Sequence, residues 1–226
     1  EITLDKIYSG YYRGKGISGI SSLKDGENYA VIEREGIVKY SYKTTQKVGT
    51  LVEGGFESYT FSDDESKILL QKESEPIYRH SFLGKFDVKD LKSGKIISLN
   101  NGDFVQEPKF SPDAAKVAFV VDNNLYYQDL ASGKITQITT DGKKNSIING
   151  IGDWVYEEEF GHADFYQWSK GSDALIFVKS DESKVPEINI PIYGKNLYPK
   201  LMTYKYPKAG EVNSTVSANL YQLSSG

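Results

Sequence analysis

Three consecutive glutamates set among aromatic residues form the most chemically loaded stretch of this sequence, Asp153-Trp154-Val155-Tyr156-Glu157-Glu158-Glu159-Phe160. Asp153 is a good helix N-cap, and the residues after it lack the alternation of a strand. The spacing predicts a short acidic helix over about 153–160, in a loop between repeated units. Successive helical residues lie about 100° apart, so three glutamates cannot all face one way. Two neighbours can converge on one cation while the third points elsewhere. Trp154, Tyr156 and Phe160 would partly dry such a site and strengthen its charge interactions. From the residues alone two readings stand: a carboxylate pair that binds a substrate ammonium, and a solvated acidic turn, which is the commoner use of such a composition.

A second stretch is Pro76-Ile77-Tyr78-Arg79-His80-Ser81-Phe82, a loop leading into a strand. Arg79 beside Tyr78 can donate a fork of hydrogen bonds to a carbonyl or carboxylate, and a plain surface arginine is the blander alternative. His80 and His162 are the two histidines of the chain and lack the spacing of a metal site, so both read as structural or exposed. No metal and no cofactor is expected. The sequence contains no G-x-S-x-G elbow, no P-loop and no H-E-x-x-H, and no Ser-His-Asp set can be assembled from it. No catalytic residue is therefore assigned within the chain.

The elements that must carry these stretches are strands. Of 226 residues 17 are Tyr, 10 are Phe and 21 are Gly, the composition of a turn-rich β protein. Four segments repeat one plan of short strand, polar turn and apolar strand: Ser21 to Ile32, Phe61 to Leu70, Phe110 to Val120 and Trp168 to Val178. The third continues as Leu125 to Leu130 and Lys134 to Thr139, each alternating and each entered by a tight turn, which makes a four-stranded antiparallel meander. Such units recurring every 40–60 residues or so are the mark of β-propeller blades. The expected fold is all-β, a propeller of about four blades near residues 10–55, 56–101, 102–141 and 160–226, with a β-sandwich as the alternative. Between Lys179 and Tyr206 a polar segment with Pro186, Pro191 and Pro199 reads as an extended arm, because Pro cannot sit in a central strand. Ser224-Ser225-Gly226 is turn-like and asks for another strand, so the chain reads as a fragment.

A net charge of −4 with no basic run gives no footprint for nucleic acid. No apolar stretch approaches the roughly 18–20 residues of a membrane span. The absence of Cys excludes disulfides and thiolate chemistry. Asn213-Ser214-Thr215 is a formal glycosylation sequon.

Three motifs in register carry a resemblance that covers nearly the whole chain. Asp153 to Glu159 closely resembles the double-Glu motif of dipeptidyl peptidase IV and its relatives. Tyr78-Arg79-His80-Ser81-Phe82-Leu83-Gly84 resembles that family's R-H-S segment, and Tyr206-Pro207-Lys208-Ala209-Gly210-Glu211-Val212-Asn213 resembles the Y-P-K-A-G-x-x-N that follows its propeller arm. The resemblance implies the N-terminal half of an eight-bladed propeller, with a C-terminal α/β-hydrolase domain and its Ser-Asp-His triad outside this chain. It implies a serine exopeptidase that removes X-Pro or X-Ala dipeptides from free N-termini. Glu158 and Glu159 would hold the substrate's α-ammonium, and Arg79 would contact a carbonyl of the leaving dipeptide. Phe160-Gly161-His162-Ala163-Asp164-Phe165 is similar to bacterial members, which implies a periplasmic or cell-surface protein. The family's arm helps build a homodimer, and exposed blade edges invite association as well. Two competitors stand beside this reading: a propeller that serves only as a protein-binding platform, and a tripeptidyl or acylaminoacyl peptidase relative.

Overall fold

A serine–aspartate turn explains why the repeats look alike. In the computed structural model Ser62 Oγ donates to Asp64 (2.7 Å) and accepts from the Lys67 N–H (3.0 Å). Ser111 does the same with Asp113 (2.5 Å) and Lys116 (2.9 Å), and Ser169 with Asp173 (2.6 Å) and Ala174 (3.1 Å). Each turn is closed by bonds spanning at most five residues, so it forms wherever the pattern occurs. The structure describes residues 1–14, 16 and 19–225; Lys15, Ile17 and Ser18 of the expected first blade, and Gly226 of the terminal turn, lie outside the described residues.

Two compact units divide the chain at residue 58. The first opens with helix α1 (Leu4–Tyr8), capped by Thr3, whose hydroxyl accepts from the Lys6 N–H. Strands β1 (Ser21–Ser22), β2 (Asn28–Glu33), β3 (Gly36–Ser41) and β4 (Lys47–Glu53) then form an antiparallel sheet in sequence order. Ala30, Ile37, Val38 and Val52 are its buried residues with little or no exposure.

The second unit contains three more four-stranded sheets and a two-stranded one among the described residues. Strands β5 (Ser58–Phe61), β6 (Lys67–Pro76), β7 (Phe82–Asp90) and β8 (Ile96–Ser98) form one, and β9 (Gln106–Phe110), β10 (Lys116–Val121), β11 (Asn124–Asp129) and β12 (Ile135–Gln137) the next. Both are antiparallel meanders. Strand β10 shows how they stack. Val117 and Phe119 pack with Leu69, Phe86 and Val88 of the preceding sheet. Ala118 and Val120 pack with Tyr166, Trp168, Leu175 and Phe177 of the following one. All four β10 residues are fully buried, so both faces are apolar and the run Val117-Ala118-Phe119-Val120 shows no alternation. Burying such side chains contributes about 1.5–3 kcal/mol for each Val or Phe. Four-stranded antiparallel sheets stacked in this way make a partial β-propeller.

The fourth sheet departs from the meander. Its centre is β15 (Ala174–Asp181), paired along its length with β18 (Thr215–Gln222). The other side of β15 is covered by two short strands in line, β13 (Ile147–Asn149) opposite residues 179–181 and β14 (Tyr166–Trp168) opposite residues 175–177. This corrects the expected start of the blade at 160. The sheet begins at Ile147, and helix α2 (Trp154–Phe160) occupies the break between β13 and β14. Beyond β15 the chain forms a separate hairpin of β16 (Glu187–Ile192) and β17 (Lys200–Lys205). With two strands both are edges, which accommodates Pro191.

Candidate functional site

Helix α2 is set at both ends by local chemistry. Asp153 is extended (φ −76°, ψ 176°) and its Oδ1 accepts from the Tyr156 N–H at 3.0 Å. Its Oδ2 accepts from Ser214 Oγ at 2.5 Å, which ties the cap to the start of β18. Gly161 ends the helix in the left-handed conformation (φ 67°), a position glycine takes without a Cβ penalty. Trp154 packs on Tyr206 (4.4 Å between ring centres) and Tyr204 (5.9 Å), and Tyr78 packs on Tyr204 (5.7 Å). These four rings join the R-H-S loop, the helix and the hairpin.

The three glutamates separate as helical geometry requires. Glu157 is 2% exposed, and its Oε1 accepts from the backbone N–H groups of His80 (2.7 Å) and Ser81 (2.8 Å). It is the residue that points elsewhere, and it fastens the loop between β6 and β7 to the helix. The loop is closed on itself by the Ile77 N–H on the Ser81 carbonyl (2.9 Å). Arg79 sits at its tip with a side chain 73% exposed, and its Nε lies 3.2 Å from Glu158 Oε2. Glu159 follows on the exposed part of the helix, with no hydrogen bond or ion pair among the described residues. The structure thus brings Arg79 and Glu158 into direct contact and leaves Glu159 beside them unpaired. The imidazoles of His80 and His162 are exposed, and His80 contributes through its backbone.

One guanidinium against two carboxylates leaves this surface with an excess negative charge. An ammonium carries three donors and no acceptor, so it suits two converging carboxylates. Arg79 holds Glu158 in place and keeps donors of its guanidinium for a further acceptor. Two neighbours of the site carry perturbed groups. Burial, then Glu182 and Glu157, pushes the Tyr78 phenol up to about 12. Burial, then Asp153, pushes the Glu182 carboxyl up to about 7.

Sequence reasoning missed the anchoring role of Glu157, the aromatic contacts of Tyr204 and Tyr206, and Glu182. Only for Glu157 was there a signal, since one of three adjacent helical glutamates had to turn inward. Among the described residues no group of three His, Asp or Glu side chains is placed to hold a metal ion.

Comparison with known proteins places these features in context. The family model described as "Dipeptidyl peptidase IV (DPP IV) N-terminal region" matches residues 62–226. The crystal structure of Porphyromonas gingivalis dipeptidyl peptidase 4 superposes with a TM-score of 0.90 at 41% identity, covering 99% of this chain and 34% of that one. The dipeptidyl aminopeptidase B of Saccharomyces cerevisiae is 36% identical over 75% of the chain and 21% of its own length. Mouse inactive dipeptidyl peptidase 10 is 32% identical over 72% of the chain and 22% of its own length. The chain thus spans about a third or less of these relatives.

Proposed function

Because this chain belongs to the dipeptidyl peptidase IV family, matching its N-terminal region, we propose that it is the substrate-recognising propeller portion of a serine dipeptidyl peptidase. Glu158 and Glu159 hold the α-ammonium of a peptide, and Arg79 donates to a carbonyl of the dipeptide that leaves. The observation that carries this reading is the Arg79–Glu158 contact at 3.2 Å beside an unpaired Glu159, on a helix inserted into a strand line. Chemistry is supplied by a Ser-Asp-His triad in an α/β-hydrolase domain of the same protein, outside this chain. The chain alone is inactive.

The physics of an exopeptidase fits this geometry. Two carboxylates closing one end of a site measure distance from the free N-terminus, because only a chain that ends there puts a charge between them. An acylated or longer substrate leaves the carboxylates unpaired and desolvated. That is discrimination by rejecting the wrong ligand. Homodimerisation is part of the proposal, supported by the hairpin tip, where Tyr193, Leu197 and Tyr198 are 79% to 90% exposed. A periplasmic or cell-surface location belongs to it as well.

The test compares an X-Pro chromogenic dipeptide with its N-acetylated counterpart in the purified intact protein, hydrolase domain included. Cleavage of the free form alone is expected, and equal cleavage of both would overturn the reading. The relative named inactive supports a second reading, peptide or protein capture without hydrolysis. Saturable binding of the free dipeptide without turnover would favour it. Release of tripeptides would move the assignment to the tripeptidyl relatives.

A further inference from the structure

Beside helix α2 lies a cavity of about 540 Å³, a volume typical of small-molecule sites. Its walls include Tyr78 and Ser81 of the loop, Asp153, Trp154 and Glu157 of the helix and its cap, and Glu182, which follows β15. Arg79, Glu158 and Glu159 are not among its walls.

Two polar side chains on these walls have no partner. Glu182 is 6% exposed, and its carboxylate makes no hydrogen bond or ion pair among the described residues. Ser81 Oγ is buried and likewise without a partner. Buried polar groups are nearly always satisfied, and a buried charge is paired, so the exceptions call for a ligand or ordered water. Two of the neighbouring acids are already engaged. Asp153 accepts from Tyr156 and Ser214, and Glu157 from His80 and Ser81. Lys205, whose charge acts on Glu182, donates instead to the Val185 carbonyl (2.8 Å) and pairs with Glu187 (3.4 Å). Glu107, Asp122, Asp153, Glu157 and Glu182 line the cavity against Lys143, Lys144 and Lys205, so its walls carry an excess of negative charge that a cation would offset, and two aromatic walls, Tyr78 and Trp154, favour one with an apolar body. The described acids do not group as a metal site, so that cation is organic.

We propose that this cavity binds a small organic amine of the arylalkyl class. Glu182 supplies the counter-charge, Ser81 Oγ a further acceptor, and Tyr78 and Trp154 contact the apolar body. The site stands on these residues whether or not the dipeptidase reading above is right.

Isothermal titration of the purified protein with phenethylamine tests this, with phenethyl alcohol as the neutral isostere. The groups acting on the Glu182 carboxyl are Asp153, Asp181, Glu187 and Lys205, and its pKa lies at about 7. The amine stays charged throughout, while Glu182 is mostly ionised near pH 8 and mostly protonated near pH 6. Binding should therefore be saturable near pH 8 and roughly tenfold weaker near pH 6. Glu182→Gln should weaken it roughly 10- to 100-fold and remove the pH dependence. Ser81→Ala, a smaller change that removes a polar atom with no partner, should weaken it severalfold while keeping the pH dependence. Loss of binding in Glu159→Gln with Glu182→Gln unaffected would put the amine on the exposed side of the helix and overturn the proposal. So would equal binding of the alcohol, or the absence of saturable heat at millimolar amine, in which case the cavity holds water alone.

Discussion

Replacing Glu157 with alanine removes the acceptor that holds two backbone N–H groups of the R-H-S loop, at 2.7 and 2.8 Å. A hydrogen bond to a charged group contributes about 1.5–3 kcal/mol, and a buried donor left bare costs about 1–3 kcal/mol. The two donors differ in what they can do next. His80 is exposed, so its N–H rehydrates; Ser81 is 8% exposed, so its N–H has little access to water. Ser81 therefore carries most of the loss, and opening of the loop should become easier by about 3 kcal/mol, roughly 100-fold in amide exchange. Glu157→Gln keeps a neutral acceptor of the same length and should cost about 1 kcal/mol, roughly fivefold. Hydrogen exchange at His80 and Ser81 reads both variants directly. Arg79 immediately precedes these residues, so kcat/KM should fall in the same order, Ala below Gln below the parent. Unchanged protection in the alanine variant, or equal effects of the two variants, would refute the reasoning.

Gly36→Ala should destabilise the first unit by more than about 2 kcal/mol, because φ is +142° and a Cβ there would meet the Val52 carbonyl oxygen at 1.9 Å; chemical denaturation checks it, and a parental midpoint would contradict it. Glu182 titrates at about 7 in the folded chain against an ordinary 4.5. The folded state thus holds its proton more tightly, so this contribution is full below about pH 4.5 and is lost as pH rises toward 7. Denaturation midpoints of Glu182→Gln measured across that window should lack the parental decline, and an unchanged slope would count against the burial argument. Leu197→Asp at the hairpin tip, where Leu197 is 90% exposed, should convert the proposed dimer to monomers in sedimentation, and a parental profile would remove the arm from the proposed interface.

What could be read ahead of the structure depended on how local the determining contacts are. The Ser62–Asp64 and Ser111–Asp113 turns close within five residues, and the Asp153 cap and Gly161 stop lie within one short helix, so pattern and structure coincide there. Strand β10 was legible as an unbroken apolar run because both its faces are covered. The start of the fourth blade was not. Strands β13 and β14 have three residues each, too few to show a period of two, and a helix separates them. Glu157 was legible only as a residue that had to turn away, since its partners lie 76 and 77 positions earlier. Glu182 stands in the polar run Asp181-Glu182-Ser183-Lys184, which reads as a solvated loop, yet the folded chain buries it. Arg79 and an acid pair were singled out from the residues, the motif resemblance supplied their roles and the choice of Glu158, and their contact depends on the Glu157 anchor that the motif alone does not reveal.

The central claim is that Glu158 and Glu159 recognise a free N-terminus. It is tested most directly by kcat/KM of Glu158→Gln and Glu159→Gln in the intact enzyme, with an X-Pro chromogenic dipeptide. Each change removes one charge-assisted bond to the ammonium, about 1.5–3 kcal/mol, so each should lower kcat/KM roughly 10- to 100-fold. Labelling of the nucleophilic serine by a fluorophosphonate should proceed at nearly the parental rate, because the reagent has no N-terminus to recognise. Full kcat/KM in both variants would contradict the account.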